Sequence, residues 1–352
     1  MYSVHSCAMT RDKHIVKFTK PVHSNQHSMR LATPEIVAEY IASRLRTHTI
    51  ADLGCGIGIQ AIFFAKQCTK VYAVEIDSER LDCARENARL YGASNIEFML
   101  ADALSDHVIK RLSDVDIVFS DPARPLEEKE RRLEESRPPV LEIIKKYQHI
   151  TDRMAFHLPP KIEQSKIFFD CEREYLALNG QLNRFTVYLG SLKKCDRSAV
   201  VLPGGTRLES KPVQPIDKTL TPQAFIFEPQ PSVVHAGLLG ELNEYLPADA
   251  AVYYSDQTRT LITSDSLLHL PFSFLKDCYR VICTTDFKPD KIKKALVDGN
   301  AKKVVLRFRI EPSEYWNMRN MFEEGLSGDK TVHLFRCNNI AVVCEKVQKE
   351  QR

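Results

Sequence analysis

The sequence predicts an α/β protein whose first domain is a mostly parallel sheet with helices on both faces, followed by a smaller α+β domain. Three observations lead to this prediction. Short β-branched runs alternate with helical runs between residues 49 and 120, and a glycine-rich loop, Asp52–Gly58, joins the first predicted strand to a helix. Acidic residues follow the second and third strands. Such alternation is typical of parallel sheets, whose ligands bind at the carboxyl ends of the strands.

Local patterns predict the elements of the first domain in order. A helical run begins at Thr33-Pro34-Glu35, where Thr33 is predicted to cap the helix and Pro34 to occupy its first position. The pair Asn179-Gly180, inside the segment 175–188, predicts a tight hairpin turn, so an antiparallel pair closes the sheet. The other predicted elements are strands at 49–53, 71–75, 96–99, 115–120 and 154–158, and helices from 59, at 79–91 and at 141–147.

The predicted domain organisation has four parts. Residues 1–30 form an N-terminal arm with four histidines of no regular period, and residues 31–202 form the first domain. The segment 203–222 is dense in Pro, Gly, Lys and Thr, which is the composition of a linker. Residues 223–352 form an α+β region, with helices predicted around 233–245, 289–297 and 312–324 and strands at 279–283, 304–310, 331–336 and 340–343.

Composition excludes several classes of protein. A formal charge of +3 over 352 residues is too small for a dedicated polycation, so contact with nucleic acid requires a local basic face. The N-terminus lacks the apolar core of a signal peptide, and no segment approaches the roughly 18 apolar residues of a membrane helix, so we expect a cytoplasmic protein. The ten cysteines are scattered, and the closest pair, Cys278 and Cys283, lacks a matching second pair, so no metal is expected.

The glycine loop and two later acids predict a nucleoside site. Three of the 13 glycines, Gly54, Gly56 and Gly58, fall within five residues at a predicted strand-to-helix turn, where they permit close approach of a ligand to the backbone. Glu75 ends the next strand, where an acid receives ribose hydroxyls, and Asp102 ends the third. A purely structural turn and a dinucleotide site are the alternatives. The spacing Gly-x-Gly-x-Gly differs from the Gly-x-Gly-x-x-Gly that binds pyrophosphate.

The segments 52–58, Glu75–Asp77 and Ala101–Ala103 resemble the cofactor motifs of class I S-adenosylmethionine-dependent methyltransferases. The resemblance implies a Rossmann-like class I sheet, methyltransferase activity and S-adenosyl-L-methionine as cofactor. The glycine loop would pass its methionine part, the first acid would bind its ribose and the acid after the third strand its adenine region. The segments 33–42 and 84–92 are also similar to trimethylguanosine-synthase-type RNA methylases. The cofactor residues that the resemblance implies are Asp52, Gly54, Gly56, Gly58, Glu75, Ile76, Asp77, Asp102 and Ala103.

The fourth strand end, Ser120–Pro125, lies where amino-methylating relatives carry Asp/Asn-Pro-Pro-aromatic. In those relatives the acid and the following carbonyl hold a planar amine, and the ring stacks on the base. The resemblance implies that Asp121, Pro122 and Arg124 are the catalytic residues. Ala123 replaces the second proline and Arg124 the aromatic residue, so Arg124 is expected to stack by its guanidinium plane or to pair with phosphate.

Asp-Pro-Pro-Arg motifs also occur in uridine carbon-5 methylases, whose mechanism requires a cysteine nucleophile after the next strand. This chain has His157-Leu-Pro-Pro160 at that place. Uridine carbon-5 chemistry is therefore not expected.

The whole chain is similar to a prokaryotic group of methyltransferases with a THUMP-like C-terminal domain. The similarity is carried by Ser136–Pro139, Tyr188–Ser191, Phe227–Pro229 and Ala236–Leu239, and implies a THUMP-like domain at about 279–347. Strand alternation near residue 306 sends Leu306, Phe308 and Ile310 inward and Arg307 and Arg309 outward. The residues predicted to contact RNA phosphates are Lys302, Lys303, Arg307 and Arg309, and a solvated strand face without RNA contacts is the alternative.

These observations predict a methyltransferase acting on a nitrogen of a tRNA or rRNA base. A methyltransferase for proteins or small molecules, and a cofactor-binding RNA module without catalysis, are the alternatives. The mixed-sign run 127–137 is predicted to be a surface helix or lid rather than an RNA contact.

Overall fold

The computed structural model describes residues 17–24, 26–123, 133, 136–160, 162–256, 259–268 and 273–348. The chain divides into two compact units, and the boundary falls between Ser210 and Lys211. Part of the predicted linker 203–222 is therefore not a connection, because Thr206–Glu209 is the last strand of the first unit.

The first unit has a nine-stranded sheet in the part of the chain that is described, in the order β3-β2-β1-β4-β5-β7-β6-β8-β9. Strands β1 to β5 pair in parallel, and β7 returns antiparallel beside β5. This is the Rossmann-like sheet with an antiparallel closing hairpin that the sequence predicts. The strands are β1 Thr49–Leu53, β2 Lys70–Glu75, β3 Ile96–Leu100, β4 Ile117–Ser120, β5 Met154–Leu158, β6 Glu172–Leu178, β7 Gln181–Tyr188, β8 Arg197–Leu202 and β9 Thr206–Glu209.

Helices cover the faces of this sheet. An apolar core joins them to the strands, with Ile41, Phe64 and Phe119 among its fully buried side chains. The short α1 and the preceding residues pack on the domain, since the backbone of His23 exchanges two hydrogen bonds with the Asn87 side chain. The helices are α1 Gln26–Leu31, α2 Glu35–Arg44, α3 Ile59–Gln67, α4 Ser78–Tyr91, α5 Asp106–Arg111 and α6 Val140–Tyr147.

Two local features of this unit are informative. The predicted hairpin turn has Asn179 at φ 51° and Gly180 at φ 74°, the left-handed pair that a two-residue hairpin loop requires. The predicted N-cap at Thr33 is wrong. Helix α2 begins at Glu35 with Pro34 before it and no side-chain cap, while the Thr33 hydroxyl accepts a hydrogen bond from Arg184 Nη2 at 3.2 Å.

The second unit has a seven-stranded sheet in its described residues, in the order β11-β12-β10-β13-β16-β15-β14. Only β14 and β15 pair in parallel there, and α8 and α9 pack on one core with Leu296 and Phe322. The helix predicted around 233–245 ends at Ala236 and is followed by a 3-10 turn at Gly240–Glu244. The elements are β10 Phe225–Pro229, α7 Pro231–Ala236, β11 Ala251–Ser255, β12 Thr260–Ser264, β13 Leu275–Asp286, α8 Pro289–Asp298, β14 Ala301–Arg307, α9 Tyr315–Glu323, β15 Lys330–Cys337 and β16 Ile340–Lys346.

Across the described ranges, no helix is both long and apolar enough to cross a membrane. Nor do those residues bring three or more His, Cys, Asp or Glu side chains into a cluster that could hold a metal ion.

Candidate cofactor and acceptor cleft

The glycine loop is held open between β1 and α3. The backbone amides of Gly54 and Cys55 both donate to the carbonyl of Val74 on β2, at 2.8 and 3.0 Å. Gly56 has φ +55°, and a Cβ on it would meet nothing within 4 Å, so the backbone there borders open space. Gly58 has φ +81°, and a Cβ on it would lie 2.8 Å from the Cβ of Ala84. The loop therefore combines an open edge at Gly56 with close packing at Gly58.

Glu75 binds this loop directly. Its Oε2 accepts from the Gly56 amide at 2.8 Å, and its Oε1 accepts from the amides of Ile76 and Asp77 at 3.1 Å each. A carboxylate has about four acceptor positions, so one remains for a ligand hydroxyl. The residue that the sequence assigns to a ribose thus also shapes the loop, a role that no local pattern predicts.

The neighbouring strand ends present the other predicted cofactor residues. The Ile76 side chain is 71% exposed although it lines the cleft, which suits an apolar contact with a planar ring. Asp77 caps α4 by accepting from the Arg80 amide at 3.1 Å. Asp102 accepts from the Leu104 amide at 2.9 Å.

Ala103 follows Asp102 and is buried at the same edge of the cleft. Its carbonyl accepts from the Tyr147 hydroxyl of α6 at 2.6 Å. Helix α6 therefore holds in place the loop that follows β3.

Asp52 is a buried carboxyl at the end of β1. Only 2% of its surface is exposed, and its Oδ2 has no hydrogen-bond partner among the described residues. Burial, with smaller effects from Asp121 and Glu75, raises its pKa well above the ordinary value. A cationic group in the cleft would relieve this electrostatic cost, because an opposite charge nearby stabilises a carboxylate.

These strand ends border one cleft of about 1010 Å³. Asp121 and Pro122 lie in the same cleft, at the end of β4, which pairs directly with β1. The Ser120 hydroxyl donates to the Leu53 carbonyl at 2.6 Å and ties the two strand ends together. The glycine loop and the predicted acceptor residues therefore border the same cleft, at the ends of neighbouring strands.

Arg137 and Pro138 lie beside Ala123 and the glycine loop. Ala123 and Arg137 exchange two backbone hydrogen bonds of 2.9 Å each. A Cβ on Gly54 would lie 3.4 Å from the Pro138 side chain. Arg124, predicted to be catalytic, and most of the run 127–137 lie outside the described residues.

The far end of the cleft is built from β5, β7 and α1. His157 is buried there, with Nδ1 2.9 Å from the Thr186 hydroxyl and its ring edge-on to Phe119. The described residues that line the cleft include one thiol, Cys55 of the glycine loop. Five further lining residues have no binding or catalytic role predicted from the sequence: Ser28, Arg30, Thr33, Asn183 and Arg184.

The predicted RNA contacts lie in the second unit. Lys302, Lys303 and Arg309 are exposed. Strand β14 ends at Arg307, before the predicted end at 310, yet Leu306 is buried in the core and Phe308 and Ile310 pack against it as expected.

Arg307 is not a free surface cation. Its Nε donates to His333 Nδ1 at 3.0 Å, its guanidinium lies over the Tyr279 ring, and Asp277 is 4.0 Å away. The expectation that Arg307 points into solvent is wrong because these side chains engage it.

Comparison with known proteins agrees with this geometry. Residues 47–192 match the model of the RNA cap guanine-N2 methyltransferase family. A solved structure from Porphyromonas gingivalis W83, described as a methyltransferase, covers 92% of this chain and 83% of its own with a TM-score of 0.72 at 15% identity. Over residues 47–192 the chain therefore resembles methyltransferases, and it shares its fold with the Porphyromonas gingivalis structure.

Curated relatives match this chain over short segments. A protein of Photorhabdus laumondii named 23S rRNA (uracil(747)-C(5))-methyltransferase is 32% identical over 96 residues, 26% of this chain and 26% of its own. A protein of Halalkalibacterium halodurans named as an uncharacterized RNA methyltransferase is 44% identical over 57 residues, 16% of this chain and 12% of its own. This chain thus spans about a quarter or less of the length of these relatives.

Proposed function

We propose that this protein transfers the methyl group of S-adenosylmethionine to a nitrogen of a tRNA or rRNA base. The observation that carries the proposal is the position of Asp121 and Pro122, one strand away from the glycine loop and in the same cleft. Neighbouring strands are about 4.8 Å apart, so an acceptor held at the end of β4 lies next to the bound cofactor. Such an RNA acceptor would place the enzyme in the cytoplasm.

The residues of the cleft fit the cofactor. Gly56 leaves room for it, the remaining acceptor position of Glu75 suits a ribose hydroxyl, and Asp52 suits its cationic part. The cofactor supplies an electrophilic methyl group bonded to a positive sulfur. Ile76 offers the apolar surface that an adenine ring needs.

Asp121 and Pro122 orient the amine. The Asp121 carboxylate and the Pro122 carbonyl accept the two amine hydrogens, which directs the nitrogen lone pair at the methyl group. Methyl transfer is an in-line displacement, so this positioning supplies much of the rate. Asp121 then accepts the proton that the methylated amine loses.

Nitrogen is favoured over carbon 5 of uracil as the target. Carbon-5 transfer requires a cysteine nucleophile on the acceptor side of the cleft. Among the described lining residues the one thiol, Cys55, belongs to the glycine loop, and its pKa is raised well above the ordinary value by burial and by Asp52 and Glu75. The guanine-N2 activity named for the matching family is also a transfer to an amine.

The second unit is proposed to hold the RNA. Lys302, Lys303 and Arg309 are exposed, and exposed cations bind phosphate by releasing counterions. Arg307 is proposed only to support this surface, because His333 and Tyr279 engage its guanidinium. A THUMP-like relation of this unit remains a prediction.

The test uses pure protein, tritiated cofactor, and RNA and protein fractions from a strain that lacks the gene. We expect label in the RNA fraction, at a base nitrogen. Asp121→Ala should reduce transfer by about 10²- to 10⁴-fold while S-adenosylhomocysteine still binds in calorimetry. Asp114→Ala is the matched control, because Asp114 is an exposed residue before the opposite end of β4.

Each alternative predicts a different result. Label that enters nuclease-treated extract would show a protein or small-molecule acceptor. Cofactor binding without transfer to any fraction would show an RNA module without catalysis. Full turnover by Asp121→Ala would refute the role of that residue.

A further inference from the structure

Strand β7 has a β-bulge at the acceptor end of the cleft. Its neighbour β6 pairs Leu176 with Arg184 but Ala177 with Leu182, so Asn183 is an extra residue without a partner across the pair. In a regular strand, consecutive side chains point to opposite faces of the sheet. A bulge changes the direction of a side chain, and here Asn183 and Arg184 both line the cleft.

Both side chains have a buried polar atom that is unsatisfied in the described structure. Asn183 Oδ1 and Arg184 Nε make no hydrogen bond to the described residues. The rest of the Arg184 guanidinium is held in place, since Nη1 donates to the Asn183 carbonyl and Nη2 to the Thr33 hydroxyl, both at 3.2 Å. Leaving a buried polar group unpaired costs free energy, so a ligand that satisfies both atoms gains affinity.

The two atoms require complementary partners. Asn183 Oδ1 needs a donor, whereas Arg184 Nε–H needs an acceptor. A phosphate supplies acceptors alone, but the edge of a nucleobase carries donors and acceptors side by side. Strand β7 is two strands away from β4 in the sheet, which corresponds to about 10 Å. One planar base with a hydrogen bond on each side can bridge this distance.

We propose that Asn183 and Arg184 recognise the hydrogen-bonding edge of the acceptor base while Asp121 and Pro122 hold its amine. This inference rests on the proposed function, because it assumes a base in the cleft. It adds the residues that determine which base is accepted. The bulge at Asn183 is the structural device that brings both side chains to one ligand.

The experiment measures kcat and KM for RNA from the strain that lacks the gene, with tritiated cofactor. Asn183→Ala and Arg184→Lys should each lower kcat/KM by about 10- to 100-fold, mainly through KM. Arg184→Lys keeps the positive charge but loses the planar fork. Binding of S-adenosylhomocysteine should not change in either variant. Gln181→Ala, an exposed position on the same strand, is the control and should keep wild-type values.

Three results would overturn the inference. Suppose that Asn183→Ala and Arg184→Lys keep the wild-type kcat and KM while the wild-type protein labels RNA. This result would refute base recognition by these residues and leave the proposed function standing. Wild-type KM in Arg184→Lys together with a raised KM in Arg184→Gln would show a contact of charge with phosphate. Absence of RNA labelling by the wild-type protein would refute the proposed function, and base recognition with it.

Discussion

Replacing Gly58 with alanine tests whether contact with α4 shapes the glycine loop. The backbone there has φ +81°, and the added Cβ would lie 2.8 Å from the Cβ and 3.1 Å from the Cα of Ala84, a buried residue of α4. The left-handed conformation costs a non-glycine residue about 1–2 kcal/mol. Overpacking costs about 1–3 kcal/mol more, so the unfolding free energy should fall by about 2–5 kcal/mol.

Gly92 provides the matched control. It has φ +73° at the end of α4, and a Cβ on it would meet nothing within 4 Å. The unfolding free energy of Gly92→Ala should therefore fall only by the cost of the left-handed conformation, about 1–2 kcal/mol. The difference between the two variants isolates the contact with Ala84.

Scanning calorimetry measures this difference. The transition of the first unit is expected to be the one that S-adenosylhomocysteine shifts upward, since a ligand that binds the folded state stabilises it. Overpacking should lower the unfolding free energy of Gly58→Ala by about 1–3 kcal/mol more than that of Gly92→Ala. This difference corresponds to a Tm about 2–12 °C below that of Gly92→Ala. A Tm for Gly58→Ala equal to or above that of Gly92→Ala would refute the reasoning.

Three further predictions follow from the charges. Glu75→Gln should weaken S-adenosylhomocysteine binding in calorimetry by about 10- to 100-fold, because the carboxylate accepts hydrogen bonds from three loop amides. Glu79 is exposed, so Glu79→Gln is the control and should bind as the wild type does. Wild-type affinity in Glu75→Gln would contradict this prediction. The raised pKa of Asp52 means that the folded domain keeps a proton that the unfolded chain loses, so stability without cofactor falls as pH rises above 3.8. Asp52→Asn should flatten that fall in urea titrations, and an unchanged pH dependence would count against it. Burial, Arg307 and Lys346 lower the pKa of His333 from 6.5 to about 4, so the second unit should lose stability as pH falls through that interval. His333→Gln should remove this loss in thermal unfolding between those pH values, and a variant as acid-sensitive as the wild type would disprove the assignment.

Local sequence patterns predict much of the fold. The strand from Thr49, the helix from Ile59 and the turn at Asn179-Gly180 are all where the patterns place them. These features depend on side-chain periodicity and on glycine conformation, which neighbouring residues determine. For the same reason the glycine loop between the first strand and the first helix of the sheet can be found from the sequence.

The acceptor end of the cleft could not be predicted in this way. Arg184 meets Thr33, 151 positions away in the sequence. The bulge at Asn183 arises from the pairing of β7 with β6 and breaks the alternation by which side chains are normally assigned to a face. Strand alternation likewise predicts that Arg307 points outward, but His333 on β15 and Asp277 on β13 contact its guanidinium.

The sequence by itself determined the alternating strands and helices between residues 49 and 120 and the glycine loop, together with the motifs by which the chain resembles methyltransferases. These depend on residues close together along the chain, where backbone conformation and periodicity act. The tertiary structure alone decided that Glu75 supports the loop, that Asn183 and Arg184 face one cleft, and that Arg307 is engaged. The physical reason is that hydrogen bonds and ion pairs between distant segments form only after the sheets have assembled, and no local pattern records them.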